Sequence, residues 1–308
     1  MLKYFLRCHD HIWAALHITI LNIPPTRLYL FPLLAGTAWL VTLTGLLLRW
    51  VTRGMRPYPG QSNPYIPFIS DIASFELKPL FLVGASVTAM GIFFTVAAVH
   101  VMRYEPGFAL IHPHDQQQHQ QDHNSGPLSD TNTENNREES EGEEDNTITK
   151  SLKLTSLLSI FAAGLASTAL TLLSVMDTFR YELAHHVFLR ICFAGLAVQS
   201  AGTAIVYADE VLSIIFFLSH RGRWADGDGQ GQGQETNLGR KIKSGLRVRI
   251  FATLSTALIL IELFVGIAFL SLTVGVENSS TDLRAAGILE WIIAFLGTGY
   301  LWLFVGFF

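Results

Sequence analysis

Six stretches of this chain are apolar all round, and nearly all of its charges fall in the segments between them. The stretches run over Leu28–Trp50, Pro79–Met102, Leu152–Met176, Val187–Leu218, Ile250–Val274 and Gly287–Phe308. Each is longer than the about 20 residues an α-helix needs to cross about 30 Å of hydrocarbon. A crossing segment must satisfy its own backbone hydrogen bonds, so the pattern predicts helices. Short strands of strict alternation, the mark of an outer-membrane barrel, are absent from the pattern. The predicted fold class is an all-α integral membrane protein, a six-transmembrane-helix bundle.

The fourth stretch is longer than one bilayer requires. Counted from Val187, one membrane thickness is used up near Tyr207. Asp209 and Glu210 then mark the interface, and Val211–Leu218 is expected to continue as a helix along or below the membrane. Before the first stretch, Met1–Leu21 carries Lys3, Arg7 and Asp10, and its apolar run Ile12–Leu21 is short. It reads as an interfacial helix or a loose arm rather than a signal peptide or a seventh crossing. The expected organisation is an N-terminal arm, residues 1–27, and a membrane domain, residues 28–308. Two segments interrupt that domain. Residues 112–149 are poor in apolar side chains and rich in Gln, His, Asn, Glu and Asp, which predicts disorder. Residues 219–249 combine a Gly-rich stretch with a basic run and are expected to form a flexible loop.

Charge sets the orientation. With the N-terminal arm inside, fourteen Lys and Arg residues fall on the inner side and five on the outer side. The positive-inside rule therefore puts both termini in the cytosol. Asn278, in the N-x-Ser sequence Asn278-Ser279-Ser280, falls in a loop that this count places outside, as a glycosylation acceptor requires. The basic run Arg240, Lys241, Lys243, Arg247 and Arg249 precedes the fifth stretch and suits contact with anionic inner-leaflet lipids. The two cysteines, Cys8 and Cys192, give no disulfide framework.

Few residues carry chemistry. Asp71 lies in the first outer loop, and His185 and Glu290 lie at the outer ends of the fourth and sixth stretches. Together they would form either a general acid/base cluster or a fixed hydrogen-bond cluster pinning the loop to the helices. With His186 they just reach the ligand number zinc wants, but without helical His spacing, so no metal and no cofactor is expected. Ser70 has no Gly-x-Ser-x-Gly context, so nucleophilic hydrolysis lacks support. Glu262 sits near the middle of the fifth stretch, where an ionisable group is costly. It marks either an ion, proton or headgroup pathway or a neutral hydrogen-bonded acid. Ala162, Ala166, Gly195 and Gly202 are small residues suited to close helix packing.

The first outer loop reads Pro64-Tyr65-Ile66-Pro67-Phe68-Ile69-Ser70-Asp71-Ile72-Ala73, followed by Leu77-Lys78-Pro79-Leu80-Phe81. This resembles the P-Y/F-I-S-D signature of the Frag/DRAM/Sfk family. Asp177-Thr178-Phe179-Arg180 with His185 is similar to that family's third loop. Glu290-Trp291 with Ala294-Phe295 and Tyr300 resembles its last-span motif. Phe307 stands where the family often has an acid, and Glu262 has no family counterpart. The loop wording is most similar to the fungal tacrolimus-suppressor-like branch. The resemblance implies a membrane protein of lipid homeostasis, a non-catalytic regulator or scaffold of phosphoinositide signalling or lipid distribution. Its partners would be membrane lipids, phosphoinositides among them, and a lipid-kinase complex, with no nucleic acid. Its location would be the plasma membrane, or else ER/Golgi or vacuolar/lysosomal membranes. The family also contains GPI-anchor lipid-remodelling factors, and a transporter or lipid scramblase is a further alternative.

Overall fold

The computed structural model describes residues 14–61, 63–103, 135–221, 238–274 and 280–308. Among the described residues there are helices and turns and no strand. Six helices are long and apolar enough to cross a membrane. They are Leu30–Thr52, Lys78–Arg103, the later part of Asn135–Val175, Glu182–Val206, the later part of Leu238–Val274, and Ser280–Leu303. The last is extended by a 3₁₀ turn, Phe304–Phe307.

Local chemistry explains several boundaries. Pro24 precedes and Pro25 opens a short helical turn, Pro25–Leu28, that leads into the first span; the first helical position is where a proline costs least. The first span ends where Gly54 takes φ +74°, a left-handed conformation that stops a helix at little steric cost. Tyr207 breaks the fourth apolar stretch, and a separate helix, Ala208–Arg221, follows it. Residues 14–21 form a further helical piece, which tucks Ile20 into a cluster with Leu28, Met102, Ile160 and Leu301. Phe308 packs against the same cluster, so the two ends of the described chain meet at one end of the bundle.

Two helices begin earlier than composition suggests. The helix of the third span reaches back to Asn135, through residues expected to be disordered. A span supplies the nucleus, and propagation through Glu-rich sequence then costs little per residue. The fifth helix likewise starts at Leu238, and the fourth-loop helix runs to Arg221. The segment expected to be a flexible loop is thus helical at both ends. Residues 104–134 and 222–237, with Cys8 and Asn278, lie outside the described residues.

Around the bundle the spans pack in the order four, three, two, one, six, five. The fifth meets the fourth again near the termini, where Ala252 shares a cluster with Val206 and Tyr207. The second and third spans are central, with 56% of their apolar windows buried, against 11% for the fifth. Outward faces are apolar, as with Leu34, Val41 and Leu48 at seven-residue spacing on the first span.

The expected small-residue packing is present between the third and fourth spans. A Cβ on Gly195 would stand 2.9 Å from the Ala166 Cβ and 3.0 Å from the Ala162 carbonyl oxygen. Neither can move without moving the backbone. Gly195→Val should therefore force these helices apart and cost about 1–3 kcal/mol. Gly266→Ala, with nothing within 4 Å of the added carbon, should be neutral or slightly stabilising. Thermal unfolding of the two purified variants in detergent checks both.

Candidate functional site

The first loop is pinned to the sixth span by a row of polar ties. Asn63, fully buried, donates through Nδ2 to the Leu283 carbonyl, and its Oδ1 accepts from the Tyr65 backbone N–H at 3.1 Å. Gly287 makes this approach possible, because a Cβ there would lie 2.8 Å from Asn63 Nδ2 and 2.9 Å from the Ile66 carbonyl oxygen. The Trp291 indole donates to the Pro67 carbonyl at 3.1 Å. A short helix, Ile69–Ala73, follows.

Two carboxyl groups hold the start of that helix. Asp71 Oδ2 accepts the Phe68 backbone N–H at 3.1 Å, and Glu290 Oε2 accepts the Ile69 N–H at 3.2 Å. The two acids of the sequence motifs are thus neighbours, and the Asp71 charge acts on Glu290. Asp71 is fully buried, and its Oδ1 has no hydrogen-bond partner. Burial pushes its carboxyl up to about 6, against the opposing pull of the Phe68 N–H.

His185 belongs to the other side of the same short helix. Its Nδ1 lies 2.7 Å from the Met176 carbonyl oxygen. With Ser70, Ser74, Lys78 and Asp177 it lines a cavity of about 10 Å³, room for one water at most. Asp177 is partly buried, which pushes its carboxyl up. The bond from Lys78 Nζ (2.9 Å), the Arg180 N–H (2.7 Å) and both cationic charges outweigh this and hold it below the usual carboxylate range. The structure therefore joins Asp71 to Glu290, and joins Ser70 to His185. It does not gather Asp71, His185 and Glu290 around one point. His186 stacks edge-on to His185, with ring centroids 6.2 Å apart. Among the described residues, no three His, Cys, Asp or Glu side chains are grouped as metal ligands would be.

A second polar region lies inside the bundle. Glu262 is half-buried, its Oε1 has no partner, and its charge reaches Tyr300. The Tyr300 hydroxyl accepts from Gln199 Nε2 at 3.2 Å and from Ser200 Oγ at 3.4 Å. Gln199 also donates to Thr203 Oγ1 at 3.0 Å, which sits 3.1 Å from His100 Nε2. Arg103 pairs with Glu210 at 2.8 Å and covers the Tyr207 ring at 4.6 Å. Sequence reasoning gave His100 and Gln199 no role, since only the fold shows that they form a chain of polar contacts, through Thr203, to Tyr300. The signal available was their presence inside or at the end of apolar stretches.

Of the basic run, Arg247 is exposed and Arg249 half-buried at the start of the fifth span. Arg240, Lys241 and Lys243 lie on the helical extension below it.

The raised Asp71 carboxyl gives a pH signature. A group whose folded value is above its unfolded value contributes stability below the unfolded value, near 4, and loses it as pH rises through about 6. A shift of this size corresponds to about 3 kcal/mol. Asp71→Asn should therefore gain stability relative to wild type as pH rises from 4 to 7. Thermal unfolding of both proteins across that range checks it.

The model of the Frag1/DRAM/Sfk1/Cwh43P N-terminal domain matches residues 27–306, and the chain belongs to that family. No curated protein and no solved structure matches it significantly.

Proposed function

We propose that this member of the family acts on membrane-lipid homeostasis without catalysis, as a regulator or scaffold of phosphoinositide signalling or lipid distribution. One observation carries this reading. The polar motif groups at the first loop are spent on holding it, and the cavity that Ser70 shares with His185, the group best suited to acid/base work, admits a single water. A substrate needs a cleft far larger, about 300–1,000 Å³. The lipid-directed part draws support from the fifth helix, which continues from its span down to Leu238 and carries five bases between Arg240 and Arg249. With those bases in the cytosol, the helix would attract anionic inner-leaflet lipids by about 1 kcal/mol per base. A lipid-kinase complex at the plasma membrane is the partner this reading favours, in keeping with the fungal suppressor-like wording of the first loop.

Replacing Arg240, Lys241, Lys243, Arg247 and Arg249 with Gln should lower recruitment of a phosphoinositide kinase to the plasma membrane several-fold. Unchanged recruitment at normal expression would overturn the reading.

A competing role, remodelling of GPI-anchor lipid in the secretory pathway, draws on the shared cavity of Ser70, His185 and the Lys78–Asp177 pair. In that case His185→Ala abolishes remodelling while expression is intact. Under the regulator reading, anchor lipids in such cells stay as in wild type. A transport or scrambling role would use Glu262 and its neighbours Tyr300 and Gln199, and wild-type transport rates in Glu262→Gln would exclude it.

A further inference from the structure

A groove of about 470 Å³ opens between the first and sixth spans, directly under the first loop. Its walls include Trp50 from the first span, Ile66 from the loop, and Ile288, Trp291, Ile292 and Leu296 from the sixth. Ile288 and Ile292 are exposed along it, so it opens sideways rather than to the loop alone. Every lining side chain is apolar or an indole, and the groove lies at the level of two membrane-spanning helices. The medium facing it there is lipid, and its size is that of a small-molecule site, about 300–1,000 Å³.

The groove has a polar end and an apolar depth. Ile288, Ile292 and Leu296 are four residues apart and form one ridge on the sixth span. Arg284 continues that ridge one turn, about 5.4 Å, toward the first loop. It is exposed, and its guanidinium lies 4.6 Å over the Tyr65 ring. On the opposite wall Arg53 stands three residues beyond Trp50, so it too is about one turn above the lining. It is exposed over the Tyr58 ring, and its Nη1 is 3.8 Å from Glu76. A guanidinium therefore tops each wall. Below them the ridge from Ile288 to Leu296 descends about 12 Å, close to the about 15 Å depth of one hydrocarbon leaflet.

We infer that this groove holds one acyl chain of a phospholipid from the leaflet on the first-loop side, with its phosphate between Arg284 and Arg53. The indoles of Trp50 and Trp291 flank the chain at the interface, where aromatic rings of this kind are favoured. Arginine suits the headgroup because its planar fork pairs with phosphate oxygens. The Trp291 N–H is already committed to Pro67, so the occupied groove is walled by the same residue that fixes the loop. The inference deepens the lipid-directed reading above and relies on it only for the groove's role in cells. The test is made on purified protein and is independent of kinase recruitment.

The full chain, reconstituted in phosphatidylcholine nanodiscs, is labelled with a phosphatidylcholine carrying a photoreactive diazirine on one acyl chain. Labelled peptides are then mapped. We expect labelling concentrated between Ile288 and Leu296 and around Trp50, and at least five-fold reduced by excess unlabelled phosphatidylcholine. The lipid-facing surface at Leu260 and Phe264 should label weakly and without saturation. Ile292→Trp, which fills the groove, should lower the groove labelling at least five-fold and leave labelling at Phe264 unchanged. Arg284→Gln should weaken competition at the groove without altering the fold. Uniform labelling of all exposed span surfaces, or groove labelling that excess lipid does not reduce, overturns the proposal even if Ile292→Trp fails to fold.

Discussion

Polar atoms near the membrane must find partners inside the protein, and the end of the bundle that carries the first loop is organised by that demand. The seven loop residues from Asn63 to Ile69 have several backbone groups met from the sixth span or from the loop's own acids. Glu290 takes the Ile69 N–H, Trp291 supplies a donor to the Pro67 carbonyl, and Asn63 spends its amide on Leu283. Water competes weakly at such a site, so each satisfied pair is worth more, and each orphan costs more, than at an open surface. The sixth span thus acts as the template on which the loop folds. The short helix Ile69–Ala73 is the product, with one carboxyl group on the N–H of its N-cap, Phe68, and another on its first N–H, Ile69.

That arrangement bears on the functional reading. Residues that would make an acid/base set if they faced one another are instead divided by the short helix. Successive residues of a helix point about 100° apart. Ser70 therefore turns toward His185 and the Lys78–Asp177 pair, while Asp71 turns toward Glu290. Both Asp71 and His185 are buried, and Asp71 Oδ1 is left without a partner. The open space lies beside Trp291, on the lipid-facing side of the same span, where the lining is apolar.

Much of this was legible in the sequence. The length and purity of the apolar stretches dictate six spans, and a break near Tyr207 follows from counting one membrane thickness along the fourth. The close helix contact at Gly195 follows from residue size. The neighbourhood of Asp71 and Glu290 was suggested by the motif pair, but their division from His185 was not, because it depends on the register of a five-residue helix. Nor could the sequence align His100, Thr203, Gln199 and Tyr300, which come from three different spans. The bounds of the third and fifth helices, at Asn135 and Leu238 in polar sequence, were not legible either, since composition carries no signal for how far a helix seeded in the membrane runs on.

The fifth helix is the least embedded member of the bundle and, at 37 residues, spans roughly 55 Å as a single rod. Its far end bears the bases, and Glu262 lies along its shaft beside Tyr300. A continuous rod so little buried along its span can carry a push from one end to the other. A charge captured at its basic tip would tilt or rotate the shaft, and Glu262, about two-thirds of the way along, would turn with it.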